Sequence, residues 1–219
     1  MNLRILLVFT VVLSLSLPTL CFAQKAAKLP PPKTKVGLSV EEALKMRKST
    51  KSYLSRPVGK EKLAQVLWAT AGVNRPKEGK RTHPSAMAKY TVDLFVCDGT
   101  GIYKYLPKEH QLERVPSAAK FKTGPRKLLP KKDYVKKAPI LLILVGDVTR
   151  LPSKFPENLR WNWIYCEAGA MCQNLHLQCA ALGLGTCVNA GFDGEMAKKM
   201  LALKKGAKVL FVLPLGYPE

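Results

Sequence analysis

The segment Arg47-Lys48-Ser49-Thr50-Lys51 places three cations and two hydroxyl groups within five residues. Arg47 and Lys51 are four residues apart, so on a helix they lie on one face. A guanidinium offers a planar pair of donors to phosphate oxygens, and an ammonium adds a mobile charge. The segment therefore has the donors to bind a phosphate and the polar chain attached to it. Taken alone, the same residues are also typical of a solvated helix end, because basic surface patches are common.

Four helices are predicted around this segment from capping signals and from apolar residues that recur at helical spacing. The first begins at a capping box, Ser39 to Glu42, and runs through Met46, so it leads directly into the basic segment. The longest begins near Arg160 and ends at Leu182, where glycines follow. The other two are expected over residues 59–71 and 193–201.

Strands are predicted between these helices. Tyr90 to Cys97 alternates, and with Ile102 to Leu106 beyond a short turn it predicts a hairpin. The continuous apolar run from Pro139 to Val145 predicts a strand buried on both faces. Shorter strands are expected over 186–188 and 209–213. Strands interleaved with helices, plus one hairpin, predict an α+β domain with a mixed sheet.

The first 23 residues predict a secretory signal peptide. Arg4 precedes an apolar run from Ile5 to Leu17, and small residues place the cleavage after Ala23. The run is short for a membrane span, and lipid attachment through Cys21 is an alternative. We therefore expect a periplasmic or secreted protein. Residues 24–37, rich in Lys and Pro, are expected to form an extended tether before a folded domain over 38–219.

The chain is strongly basic, with 36 Lys and Arg residues against 15 Asp and Glu, a formal net charge of +21. This charge permits binding to anionic lipid, nucleic acid or acidic substrates, although no specific nucleic-acid partner is predicted. Nine cations and one acid lie between Arg114 and Lys137. We treat 114–137 as a basic insertion or lid, which is either a solvated loop or an electrostatic collar over a site.

Metal chemistry is not indicated, and no metal site is predicted. Five cysteines remain after the predicted cleavage, and because this number is odd, at least one thiol is unpaired. None of them forms a CxxC pair, which argues against a zinc knuckle or a thioredoxin motif. Cys172 and Cys179 share an apolar helix face and are expected in the core. The three histidines, at 83, 110 and 176, show no metal-ligand spacing.

Seven segments of the chain, taken in order, form a recognisable set of motifs. They are residues 46–53, 67–72, 81–86 (RTHPSA), 101–105, 167–175 with 183–185, 191–193 and 213–216. Together they resemble the motifs of the nitroreductase-like flavoprotein superfamily, and more closely its SagB-like branch of FMN-dependent dehydrogenases. The similarity covers residues from about 40 to 216. Residues 46–53 resemble the N-terminal FMN-phosphate motif of the family, and residues 81–86 resemble its "RTxPSAG" loop, with Met87 in place of the usual glycine.

The resemblance implies a nitroreductase-like fold, in which a central, mainly antiparallel sheet is flanked by helices around a long central helix. It also implies a homodimer with FMN at the subunit interface. Arg47 and Ser49 would bind the FMN phosphate, with Lys48 in the same cofactor-binding segment. Lys51 would lie nearer the ribityl chain and the N1–O2 edge of the ring, where a cation stabilises reduced flavin.

Two further segments would complete this site by resemblance. Pro84, Ser85 and Ala86 would pack on the flavin from the partner subunit. Ala190 and Gly191 would present backbone N–H groups toward flavin N5, where small residues let the backbone approach the ring. Many relatives continue beyond the position of Gly216 and supply another basic residue for the phosphate. Here we expect that contribution either to be missing, so that the basic segment holds the phosphate largely alone, or to come from elsewhere, such as the basic insertion.

The expected function is an exported FMN-dependent oxidoreductase of the nitroreductase type, with hydride transfer through flavin N5 to or from a small organic or peptide substrate. Nitroaromatic reduction and azoline-type peptide oxidation are both open, as is the electron donor outside the cytoplasm. No catalytic residue is assigned. Tyr103, Tyr105 and His83 are candidate proton donors, and solvent is an alternative source. The competing interpretation is a non-catalytic, degenerate flavin fold that acts as a basic envelope binding protein.

Overall fold

A seven-stranded sheet forms the centre of the structure, a computed structural model that describes residues 26–35, 37–116, 128–129, 133 and 137–219. The strands are β1 (Ala26–Lys28), β2 (Val73–Arg75), β3 (Lys80–Arg81), β4 (Val92–Cys97), β5 (Ile102–Leu106), β6 (Gln111–Arg114), β7 (Ile140–Asp147), β8 (Gly185–Thr186) and β9 (Ala207–Gly216). The helices are α1 (Val40–Met46), α2 (Lys60–Ala71), α3 (Glu157–Ala181) and α4 (Gly194–Met200).

The sheet has the order β1-β6-β5-β4-β7-β9-β8, and its neighbouring strands pair antiparallel. β2 and β3 form a separate two-stranded hairpin. The predicted α+β class, with a mainly antiparallel sheet and one long helix, is confirmed. The last described strand, β9, lies between β7 and β8, so β8 joins the seven-stranded sheet through β9.

Apolar side chains of β7 pack on both faces of the sheet. Leu142 and Leu144 join the core that α2 and α3 cover, whereas Leu141 and Ile143 join the core beneath α4. This is the two-sided burial that the continuous apolar run predicts. The α3 side is anchored by Ile164 and its neighbours on the buried face of α3. α3 is thereby held rigidly across one face of the sheet.

The capping box that opens α1 is present as predicted. The Ser39 hydroxyl accepts a hydrogen bond from Glu42 N at 3.1 Å, and the Glu42 carboxylate accepts one from Ser39 N at 2.7 Å. The helix ends after Met46, and Arg47 is its C-cap residue. The start of the basic segment is therefore positioned by the end of a defined helix.

The tether predicted over 24–37 is wrong for the described residues 26–35, which pack on the domain. Residues 26–28 form β1 and pair with β6. Farther along, Lys33 N donates to Gln65 Oε1 at 2.7 Å, and Gln65 Nε2 donates to Lys33 O at 3.1 Å. The Lys- and Pro-rich composition predicts a solvated chain. Without β1, however, the outer edge of β6 would expose unpaired backbone groups, and pairing with them holds residues 26–28 on the sheet. Composition does not reveal such a partner.

Only part of the basic stretch 114–137 is described. Arg114 ends β6, and Leu128 and Leu129 are buried in the core beneath α4. The rest of the predicted insertion, and the predicted signal peptide over 1–23, lie outside the described residues. Among the helices described, none combines the length and apolar character that crossing a membrane requires.

Candidate functional site

The basic segment 47–51 leaves α1 and runs beside β8. Ser49 and Thr186 form an isolated parallel bridge, and Thr50 N donates to Thr186 O at 2.9 Å. Thr50 is buried, whereas Ser49 and the two lysines of the segment are exposed and Arg47 is half-buried. The segment is thus fixed through its threonine, and its cations and serine remain available to a ligand.

Close packing around Thr50 explains this course of the chain. A Cβ on Gly185 would lie 2.4 Å from Thr50 Oγ1, so the approach of the segment to β8 requires a glycine there. The Tyr53 hydroxyl donates to Thr50 O at 2.7 Å from a fully buried ring. Leu54 N donates to Tyr217 O at 3.0 Å. The segment is therefore held between β8 and the residues that follow β9.

His176 of α3 lies beneath the start of the basic segment and is buried. Burial lowers the pKa of His176, and the nearby charge of Arg47 lowers it further. A hydrogen bond with the Lys48 backbone acts in the opposite direction, but the pKa remains below its ordinary value. A lowered pKa keeps the imidazole neutral near pH 7. The positive charge at this edge of the sheet therefore comes from Arg47 and the two lysines.

The loop after β8 brings two more predicted residues to the same edge. Asn189 exchanges backbone hydrogen bonds with Val212 of β9, at 3.0 and 2.9 Å, and is buried. The next two residues, Ala190 and Gly191, are exposed, and neither N–H group donates a hydrogen bond within the described part of the chain. A Cβ on Gly191 would meet no atom within 4 Å. Within the described residues, these two backbone donors therefore have no hydrogen-bond acceptor.

The two halves of this site are distant in sequence and close in the fold. Thr186, which pairs with the basic segment, precedes Ala190 by four residues, a chain reach of roughly 13 Å. One sheet edge therefore offers cations and a hydroxyl for a phosphate, and unpaired N–H groups beside a glycine for a flat ring. This set of donors fits FMN, with Arg47, Lys48, Ser49 and Lys51 at one end and Ala190 and Gly191 at the other.

Pro84, Ser85 and Ala86 do not join this edge within one chain. Ser85 Oγ donates to Glu167 Oε2 of α3 at 2.7 Å. Glu167 and His176 are nine residues apart, so they project from opposite sides of α3 and are roughly 13 Å apart along its axis. The loop and the basic segment are therefore separated by the helix, and a single chain supplies only part of the predicted set.

Tyr103 and Tyr105, two of the candidate proton donors, are also far from this edge. Both lie on β5, which is separated from β8 by three strands. The Tyr105 hydroxyl is 2.8 Å from His110 Nδ1, and burial raises the pKa of Tyr105. Since His110 Nε2 donates to Pro30 O at 2.8 Å, Nδ1 accepts the Tyr105 proton. These tyrosines stabilise the β1 side of the sheet.

The third candidate, His83, is buried beside Glu167. His83 Nε2 lies 3.4 Å from Glu167 Oε1, and neither ring nitrogen has a hydrogen-bond partner among the described residues. Burial, followed by the charge of Arg81, lowers the pKa of His83 to about 4. His83 is therefore neutral and enclosed near pH 7, which does not suit proton delivery to an exposed sheet edge.

The sequence reasoning missed Glu167 as an individual functional residue. Glu167 is only 2% exposed and binds Ser85, Thr91 and Val92 through its carboxylate. A signal was present: Glu167 directly precedes Ala168 on the apolar face of α3. A carboxylate at such a position needs donors from a neighbouring element.

Comparison with known proteins gives consistent relatives. The sequence profile described as the nitroreductase family matches residues 44–217. A candidate nitroreductase of Methanocaldococcus jannaschii is 30% identical over 188 residues, which cover 82% of this chain and 91% of that protein. The crystal structure of a candidate nitroreductase from Ralstonia eutropha JMP134 matches with a TM-score of 0.80 at 29% identity, over 90% of each chain.

A more distant similarity extends the same fold to a multiprotein enzyme. The microcin synthetase complex of Escherichia coli, solved with truncated pro-MccB17 bound, matches with a TM-score of 0.69 at 19% identity. The match covers 93% of this chain and 83% of that one. At this identity the similarity shows a shared fold alone.

Proposed function

This chain belongs to the nitroreductase family, and on that basis we propose that it is an FMN-dependent oxidoreductase whose cofactor binds along the β8 edge of the sheet. One observation carries the proposal. The basic segment 47–51 pairs with Thr186 at that edge, and Thr186 lies four residues before Ala190, whose N–H group, like that of Gly191, donates no hydrogen bond among the described residues.

The basic segment would bind the phosphate end of FMN. Arg47 gives a planar pair of N–H donors, and Ser49 adds a hydroxyl on the exposed side of the segment. Lys48 adds positive charge beside them. Lys51 would lie nearer the ribityl chain and the N1–O2 edge, where its charge favours the reduced, anionic form.

The loop after β8 would hold the ring end. FMN, when bound, supplies hydride exchange at its N5 atom. Ala190 and Gly191 would orient the ring through their N–H groups, and the absence of a side chain at Gly191 leaves the backbone accessible. Asn189 keeps this loop fixed on β9 through its backbone pair with Val212, so the donors are positioned before FMN arrives.

We further propose a homodimer, in which Pro84, Ser85 and Ala86 reach the site of the second subunit. Nitroreductase-fold proteins are commonly dimeric. α1 also presents large apolar side chains to solvent in the single chain, with Val40 64% and Leu44 51% exposed. A second subunit that covers this face would bury apolar surface and bring the missing loop to each site.

Export and substrate class complete the proposal. The signal peptide predicted over 1–23 supports a periplasmic or secreted enzyme, which would take electrons from a quinone, a redox protein or the substrate itself. Hydride would pass to or from a small organic or peptide substrate. Nitroaromatics are suggested by the family, and a peptide by the SagB-like motifs and by the fold shared with the microcin synthetase complex bound to pro-MccB17.

Titration with FMN tests the cofactor assignment. We expect the purified protein to bind FMN with a visible flavin spectrum, and Arg47→Ala combined with Lys51→Ala to abolish retention while the fold is preserved. Lys28→Ala combined with Lys108→Ala removes the same amount of charge from β1 and from the turn between β5 and β6, far from β8 in the strand order, and is the matched control. A colourless protein that does not take up added FMN would refute the proposal and favour a basic, non-catalytic binding protein.

The remaining parts need separate measurements. Analytical ultracentrifugation of the FMN-bound protein should show a dimer, and a monomer with full flavin content would contradict the shared site. Fractionation of expressing cells should place the protein, shortened by residues 1–23, outside the cytoplasm. Finding only the uncleaved chain in the cytoplasm would contradict export without affecting the flavin assignment.

A further inference from the structure

The loop between Ser85 and Thr91 contains three left-handed residues that are not glycine. The φ angle is 52° at Met87, 53° at Ala88 and 48° at Tyr90. Residues with a side chain rarely adopt this region, because Cβ crowds the backbone there. Clustered exceptions of this kind are held in place by their surroundings and concentrate at functional sites. The loop therefore needs contacts from another element.

Glu167, in the middle of α3, supplies those contacts. Its Oε2 atom accepts from Ser85 Oγ at 2.7 Å, from Thr91 Oγ1 at 2.8 Å and from Thr91 N at 3.1 Å. Its Oε1 atom accepts from Val92 N at 3.2 Å. Ser85 precedes the left-handed residues, and Thr91 and Val92 follow them. One buried carboxylate is thus bound to both ends of the loop.

The directions of these hydrogen bonds require a carboxylate at this position. Tyr90 N donates to Ser85 Oγ at 2.8 Å, so the single hydroxyl proton of Ser85 is directed to Glu167. The Val92 and Thr91 backbone groups are donors as well. An amide in place of the carboxylate would turn an NH₂ group toward at least one of these donors. Because the site is buried, water cannot replace the lost acceptor.

The outer surface of the loop remains available. Pro84 is exposed, and Met87 is 49% exposed. Pro84 is one of the residues that the proposed dimer would place against FMN, and Met87 directly follows Ala86, another of them. The buried side of the loop is therefore bound to α3, while the opposite side is free to contact a ligand across a subunit interface.

We infer that Glu167 is a positioning residue for the flavin site. It does not touch FMN. It holds the loop in its left-handed conformation through Ser85 and Thr91, so that Pro84, Ala86 and Met87 contact the flavin bound by the second subunit. This inference rests on the proposed function, and it couples the long helix of one subunit to the cofactor of the other.

Two readouts test the inference on the full-length protein. Amide hydrogen exchange over residues 84–92 of the apoprotein reports the loop without involving FMN. The dissociation constant and the visible band shape of bound FMN report its effect on the site. The variants are Glu167→Gln, Thr91→Val, which removes the hydroxyl that donates to Glu167 Oε2 at a residue outside the proposed flavin contacts, and Thr91→Ser, which keeps that hydroxyl.

We expect Glu167→Gln and Thr91→Val to accelerate exchange in the loop and to weaken FMN binding about tenfold or more, as the loss of one hydrogen bond to a charged group predicts. Their flavin band should change shape, and Thr91→Ser should keep the wild-type value of both readouts. Gln65→Leu is the matched control. It removes buried hydrogen bonds to Lys33 and Gln178 elsewhere, and should lower thermal stability without changing either readout.

Three results would overturn the inference. Unchanged exchange in Glu167→Gln and Thr91→Val would show that the carboxylate does not hold the loop. Faster exchange with wild-type FMN affinity and spectrum would reduce Glu167 to a structural role. A wild-type protein that takes up no FMN would refute the proposed function and the flavin-facing part of the inference, while the exchange measurement would still decide whether Glu167 clamps the loop.

Discussion

Acidification is expected to destabilise the fold through His83. Burial, and then the charge of Arg81, lowers the pKa of His83 from 6.5 to about 4 in the folded chain. In the unfolded chain the ordinary value of 6.5 applies. Between these two values the unfolded state binds a proton that the folded state does not. Stability is therefore complete above about pH 6.5 and falls as the pH decreases toward 4.

The magnitude follows from the same two pKa values. A difference of one pKa unit corresponds to about 1.36 kcal/mol, so the full effect approaches about 3 kcal/mol. Between pH 7 and pH 5 the linkage relation predicts a loss of about 2 kcal/mol in the free energy of unfolding. Such a loss is a large fraction of the stability of a typical domain, about 5–15 kcal/mol.

A neutral variant isolates this contribution, because burial also lowers the pKa values of His110 and His176. His83→Phe keeps a ring to pack edge-on against Tyr90, which lies 5.6 Å away between centroids, but it cannot bind a proton. Urea unfolding of both proteins at pH 7 and pH 5 gives the comparison. The wild type should lose about 2 kcal/mol more than His83→Phe over this range.

The same pH dependence in both proteins would refute the reasoning. It would mean that the folded chain protonates His83 as readily as the unfolded chain does. The imidazolium would then be accommodated by Glu167 Oε1, 3.4 Å from His83 Nε2. His110→Phe, measured in parallel, shows whether the assay resolves one histidine, since its own contribution should also disappear.

Three further predictions concern two packing contacts and one hydrogen bond. Gly185→Ala should lower the free energy of unfolding by about 1–3 kcal/mol and weaken FMN binding, because the new Cβ would lie 2.4 Å from Thr50 Oγ1. Gly194→Ala is the control, since a Cβ there would meet no atom within 4 Å. Equal losses for the two variants in urea unfolding would contradict this prediction. Ile164→Ala, at a fully buried position, should cost about 2–5 kcal/mol with FMN affinity retained; a loss under 1 kcal/mol would contradict the assigned core. His110→Phe should accelerate amide exchange in β1, since it removes the bond to Pro30 O; unchanged exchange would show that this bond does not hold the strand.

Elements with a strong local signal could be predicted from the sequence. The capping box at Ser39, the apolar periodicity of α3 and the apolar run of β7 each specify a helix or a strand through neighbouring residues alone. Their ends moved by a few residues: α3 begins at Glu157 rather than near Arg160. Tertiary packing decides such boundaries.

Long-range pairing could not be predicted in the same way. β1 and β6 are short and partly polar, and β1 is stabilised by its partner strand rather than by its own composition. The contact of Thr50 with Thr186 joins segments more than a hundred residues apart, and only the family resemblance related them beforehand. The position of Glu167 on a predicted helix could be read from the sequence. Its hydrogen bonds could not, because the donors Ser85 and Thr91 lie in a loop far away in sequence.

The placement of β9 has a consequence for how the protein is made. Ser49, Tyr53 and Leu54 pair with Thr186, Pro218 and Tyr217, and β8 joins the sheet only through β9. A nascent chain that lacks residues after about 206 has α1, α2 and α3 but no edge on which to dock the basic segment. Contacts of such high sequence separation form slowly. The edge of the sheet that holds the basic segment is therefore expected among the last parts to assemble, after the ribosome has synthesised β9.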